Sequence, residues 1–130
     1  MLGKISQSQV MEEYASAHLL LAPSREEAMS LSVLEAVSCG LFAIVTNASG
    51  NKEIVLPGIN GYFVEYGNPD DIVEKVKAFY NEKFLKNYHY PEFMIEETLQ
   101  HYSWEKTAEK YLQLFDRVLK EKRSGKDIGQ

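Results

Sequence analysis

At 130 residues, 45% hydrophobic and 25% charged, the chain has the size and balance of one ordinary globular domain that can bury a core. Its 14 Lys and Arg against 19 Asp and Glu leave a formal charge of -5, which argues against nucleic acid as a main partner, since phosphate backbones recruit basic surfaces. A single cysteine rules out an internal disulfide, no apolar run approaches the roughly 18 residues of a membrane span, and no secretory pattern opens the chain; a cytoplasmic protein is expected.

Ser6 followed by Gln9 reads as a capping box, and Val10, Met11, Tyr14 and Ala17 then recur at helical spacing, predicting a helix over 6–16. Residues 18–22 form a short apolar run stopped by Pro23, a buried strand. Residues 25–29 read as a loop. A helix over 30–39 follows, with Leu31, Leu34 and Val37 on one side and Gly40 beyond its end; Cys39 sits in it as a small core thiol. Residues 42–46 are a second buried strand, 53–55 a short helical turn, and 62–64 a third strand after Gly58 and Gly61. Asn68, Pro69, Asp70 and Asp71 make a strong helix start, with Ile72, Val73, Val76, Phe79 and Tyr80 as the buried face. A helix over 92–101 is expected next. Ser103 then caps a last one whose Trp104, Ala108, Tyr111, Leu112, Phe115, Val118 and Leu119 are expected to face inward. Lys120, Lys122, Arg123 and Lys126 read as a solvated helix end, with a membrane-surface contact as the second reading.

Short apolar strands alternating with helices define an α/β class: a small parallel sheet in a three-layer arrangement with flanking helices. The folded part is expected to span 1–122, with 123–130 a flexible tail. Three strands are few for such a sheet, which hints at missing sequence.

The stretch 22–40 carries the chemistry. A strand, a turn and a helix opening on small residues leave amide N–H groups free to meet phosphate oxygens, at the strand end where ligands of open parallel sheets gather. Glu27 lies in the turn. Glu35 lies about 7.5 Å along the helix axis from Ser30, and its side chain leans back toward the helix start. A bare carboxylate would repel a diphosphate, but one that accepts hydrogen bonds from sugar hydroxyls beside it is favourable. The spacing therefore suits a nucleotide sugar. Spacing alone leaves open whether these carboxylates hold a ligand or lie on the surface.

Several landmarks then occur in order: Tyr14 to Ala17, Leu21 to Ser24, Glu27 with Glu35, Ala36 with Cys39 and Gly40, Glu53 to Val55, Gly58 with Gly61, and Ser103 with Trp104. Together they resemble the C-terminal, donor-binding domain of the retaining glycosyltransferases of GT-B fold, the glycogen-synthase and mannosyltransferase-like group 1 family. The resemblance covers about residues 2–119 and implies a partial Rossmann-like domain. It implies that Glu27, the catalytic residue of the set, contacts donor-sugar hydroxyls and that Glu35 binds the ribose. By the same likeness Ala28, Met29, Ser30 and Leu31 present backbone N–H groups to sugar and diphosphate, and the main chain at Ile5 meets the base. The reaction implied is hexosyl transfer from a nucleoside diphosphate sugar with retention, without a cofactor, a metal ligand set or a protein nucleophile. No paired His, Cys or Asp spacing suggests a metal, and His18, His89 and His101 read as structural or exposed.

Departures are visible. Ala28 and Ser30 stand where the family favours Gly, Gly50 and Asn51 where it often has two Gly, Phe42 where Pro is common, and His18 where Asp is usual. Ser30 suits a helix start and adds a hydroxyl donor. By comparison with the family, two strand-helix units and an acceptor-binding domain are expected to be absent, so a carbohydrate or lipid-linked acceptor would be held by a missing N-terminal domain. The chain alone is then expected to be inactive. In the full-length enzyme, the cytoplasmic face of a membrane is a second expected location. Residues 19–22 would form an unpaired apolar edge, covered by a second copy or by further N-terminal chain, and part of the Tyr111 to Phe115 face of the last helix, which the family packs on its first domain, would be exposed. The alternative reading is a non-catalytic binding or assembly module that keeps this fold.

Overall fold

The computed structural model describes residues 2–25 and 30–125. Contacts divide the chain into two compact units, 1–98 and 99–130. The first holds every described strand.

Helix α1, Gln7–Ser16, starts where local chemistry stops the backbone from continuing otherwise. The Ser6 hydroxyl accepts from the Gln9 N–H at 3.3 Å, while the Gln9 side chain accepts from the Ser6 N–H at 2.8 Å. Two amides that the helix geometry leaves without acceptors are thereby satisfied. Strand β1, Leu19–Ala22, follows, then helix α2, Leu31–Ser38, strand β2, Phe42–Thr46, the single-turn helix α3, Asn51–Ile54, and strand β3, Gly61–Val64. The sheet is parallel and ordered β1-β2-β3, with Ala22 opposite Val45 and Thr46 opposite Val64.

β2 is central and buried throughout. Phe42 and Ile44 meet Val64 and Phe79 in one cluster, joined by Leu19, Tyr62, Ile72, Val76 and Tyr88. Alternation along the strand turns Ala43 and Val45 to the opposite face. Helix α2 packs on β1 and β2 and buries Val33, Ala36 and Val37. Each large apolar side chain so enclosed contributes about 1.5–3 kcal/mol. Phe42 is an aromatic hub: the Tyr62, Phe79 and Tyr88 rings lie 5.0, 5.1 and 5.6 Å from its ring.

Helix α4, Pro69–Glu82, begins as its sequence demands, the Asn68 side chain accepting from the Asp71 N–H at 3.1 Å. A 3-10 turn, Phe84–Lys86, and helix α5, Glu92–His101, follow. In the second unit Ser103 caps helix α6, Trp104–Arg123, accepting from the Lys106 N–H at 3.2 Å.

Four expectations about burial are corrected. β1 is the expected sheet edge and so is half-buried, not the buried strand its pattern suggested: it pairs with β2 alone among the described strands, and Leu21 is 45% exposed. Leu31 is exposed and the inward face of α2 is Val33, Ala36 and Val37. On α4 the stripe narrows to Ile72, Val76 and Phe79; Val73 and Tyr80 point outward, Tyr80 stacking on Phe84 at 5.6 Å. On α6 none of the apolar residues is buried, and Trp104 is 86% exposed. Periodicity reveals that a helix has an apolar face; it carries no information about what covers that face.

Candidate functional site

β1 delivers the chain to the carboxyl end of the sheet, where Pro23 ends the strand pattern and Ser24 lies exposed. The chain is next described at Ser30, the buried N-cap of α2, so Glu27, Ala28 and Met29 lie outside the described residues. The Ser30 hydroxyl accepts from the Val33 N–H at 3.3 Å and its carbonyl from the Leu34 N–H at 3.0 Å. Helix geometry gives the amides of Leu31 and Ser32 no acceptor within the helix. That end bears the positive pole of the helix.

Glu35 is half-buried in the middle of α2. Its charge is felt by two neighbours. Burial first, and Glu35 second, push the Tyr14 phenol above its ordinary range, with a hydrogen bond to Ser32 acting the other way. Burial and then Glu35 also raise the Cys39 thiol. Glu35 therefore lies on the side of α2 that meets Tyr14 of α1. Ile5 is half-buried directly before the Ser6 cap. Ser30 thus caps the helix that carries Leu31 at its first position and Glu35 in its middle, and Ile5 precedes the cap of the helix that carries Tyr14.

Two polar residues that the sequence reading passed over lie at the exit of β1. The Thr46 hydroxyl donates to the Ser24 carbonyl at 2.5 Å, and the Asn51 side-chain amide donates to the Thr46 carbonyl at 2.9 Å. The signal for Asn51 was present: a carboxamide stands where the resembling family often has Gly.

A cavity of about 590 Å³ lies elsewhere, lined by His18, Gly40, Phe79, Phe84, Tyr88 and Tyr90 among others. His18 and Gly40 precede β1 and β2, so the cavity opens at the amino ends of the strands, away from Ser30. Its rings chiefly pack on one another, His18 on Phe84 at 5.1 Å and Tyr88 on Tyr90 at 6.4 Å. Among the described residues, no three His, Cys, Asp or Glu side chains are grouped to hold a metal ion. No helix among them is long and apolar enough to cross a membrane.

A parallel sheet with flanking helices, whose first described strand leads to a capped helix bearing a carboxylate, is an α/β unit of Rossmann-like class. The chain belongs to the glycosyltransferase group 1 family: the family description "Glycosyl transferases group 1" matches residues 1–101. Among similar proteins is the phosphatidylinositol N-acetylglucosaminyltransferase gpi3 subunit of Schizosaccharomyces pombe. It is 32% identical over 123 residues, covering 93% of this chain and 26% of that protein. The glycogen synthase of Kosmotoga olearia is 33% identical over 125 residues, covering 88% of this chain and 25% of that protein. The N-acetyl-alpha-D-glucosaminyl L-malate synthase of Bacillus anthracis is 29% identical over 126 residues, covering 96% of this chain and 32% of that protein. The chain spans about a quarter to a third of the length of these relatives.

Proposed function

We propose that this chain holds the nucleoside diphosphate sugar of a retaining group 1 glycosyltransferase. The observation that carries the reading is the start of α2: a buried serine cap at the carboxyl end of the sheet, a first turn whose amides have no acceptor within the helix, and Glu35 farther along the same helix. The helix pole and amides meet the diphosphate, with Ala28, Met29, Ser30 and Leu31 supplying N–H groups. Glu35 accepts from ribose hydroxyls and Glu27 from the sugar, roles in which a carboxylate beside an anion gains hydrogen bonds rather than repulsion alone. The main chain at Ile5 meets the base.

Catalysis in this reading comes from preorganised dipoles that stabilise the departing diphosphate, and from alignment of the acceptor. The relatives' names favour a donor role for the shared segment. One names phosphatidylinositol, another L-malate, a third glycogen, yet all three resemble this chain at 29–33% identity. A segment common to such different products is suited to the common half of the reaction. Acceptor choice, and hence complete transfer, is then not carried by these 130 residues alone. A reducing, cytoplasmic setting suits the single free thiol, Cys39.

The test is calorimetric titration of the chain with UDP, GDP and ADP. Saturable binding of at least one is expected, weakened about tenfold in Glu35→Gln through loss of charge-assisted hydrogen bonds. Absence of heat and of any thermal shift with all three would falsify the reading.

A further inference from the structure

The parallel pairing of β1 with β2 sets Ala22 opposite Val45, so the chain leaving β1 passes beside Thr46, the last residue of β2. Thr46 is 2% exposed, and its hydroxyl donates to the Ser24 carbonyl, 22 positions away in sequence. At such a buried strand position valine would pack as well and would bring no polar group to satisfy. The hydroxyl is therefore informative, and what it does is hold the exit of β1. Asn51, 1% exposed, heads α3 and donates from its side-chain amide to the Thr46 carbonyl, while its own Oδ1 has no partner among the described residues. An unpaired buried acceptor is unfavourable. It is tolerated here in a group whose other half ties α3 to the end of β2.

We infer that Thr46, backed by Asn51, is a positioning residue for donor binding: it fixes the Ser24 carbonyl at the exit of β1, three places ahead of Glu27 in the sequence. This role depends on the donor reading above. Small displacements of backbone that leads into a binding site are enough to lose much of a ligand's binding geometry.

The experiment compares wild type, Thr46→Val, Thr46→Ala and Thr46→Ser, each checked for a cooperative thermal transition. UDP, GDP and ADP are titrated calorimetrically, and amide hydrogen exchange is followed in the peptide covering residues 18–25. Thr46→Val and Thr46→Ala are expected to weaken the nucleotide that binds wild type by about tenfold, while Thr46→Ser, which restores the hydroxyl, stays within about twofold. Exchange at Ser24 and Arg25 should be faster in the valine and alanine variants only. Wild-type affinity in both of those variants, or equal loss in all three, overturns the role of the hydroxyl. If no nucleotide binds wild type, the donor reading fails by itself. The anchor is then judged by exchange, and rates at Ser24 and Arg25 that are unchanged in the valine and alanine variants overturn it.

Discussion

The side-chain amide of Asn60 donates to the Tyr90 hydroxyl at 3.1 Å, joining the turn before β3 to the segment before α5 across 30 positions. The same side chain accepts from the Leu56 N–H at 2.7 Å and donates to the Ile54 carbonyl at 3.1 Å, and it is 1% exposed. Asn60→Ala leaves three groups without this partner, the Ile54 carbonyl buried and the other two part-buried, so a loss of about 2 kcal/mol is expected in urea unfolding. Tyr90→Phe removes one of the three bonds and should lose about 1 kcal/mol. Equal losses would show that the asparagine does not act as the hub.

Gly61 and Gly58 should respond differently to alanine. A Cβ at Gly61 would lie 2.2 Å from the Ala43 carbonyl oxygen and 2.6 Å from Val55 Cγ1, so backbone must shift at the centre of the sheet. Gly61→Ala is expected to lose about 3 kcal/mol or more, read as loss of soluble protein or of a cooperative melt. Gly58 has φ +79° with nothing within 4 Å of its Cβ position. There the loss is conformational only, about 1–2 kcal/mol, and the protein should still fold.

Stability should fall in strong base. Burial, with Tyr90 adding to it, pushes the Tyr88 phenol up from 10.0 to about 12, and its hydroxyl donates to the Ile59 carbonyl at 2.9 Å. Raised in the fold, the group stays protonated in the native state after the unfolded chain has lost its proton. Its contribution is therefore full below about pH 10 and is lost as pH rises toward about 12. Burial likewise raises Tyr90 and Tyr62. Urea unfolding from pH 9 to 11.5 should show the decline, and Tyr88→Phe should make it shallower. An unchanged slope would exclude Tyr88 as a source.

Cys39 offers a readout of Glu35 that needs no nucleotide. After burial, the Glu35 charge is the second influence holding the thiol up. In Glu35→Gln the thiolate fraction at pH 8 should increase, and alkylation by iodoacetamide should become faster. A rate unchanged from wild type would mean that the carboxylate does not face Cys39.

The helix starts were legible because their causes are local. The Ser6 and Gln9 box, Asn68 with Pro69, and Ser103 each close hydrogen bonds within three residues, so the side chains that define them can be read in order. Strand positions were legible for a related reason: a short apolar run with a breaker after it has few other uses in a soluble chain. The proposed phosphate-meeting end of α2 belongs to this class too, since Ser30 announces it. The roles given to Glu27, Ala28 and Met29 came from resemblance alone, and those residues lie outside the described part of the chain.

Sequence by itself thus determined which segments are helix or strand, the α/β class, and the family. Tertiary structure decided which apolar faces are covered, turning Val73, Tyr80 and Leu31 outward and leaving β1 half-buried. It also decided the contacts between distant partners, Thr46 with Ser24 and Asn60 with Tyr90. Local signals report what a segment's own backbone needs within about one helical turn. Burial and long-range hydrogen bonds depend on which other segment arrives, and no single stretch of chain encodes that.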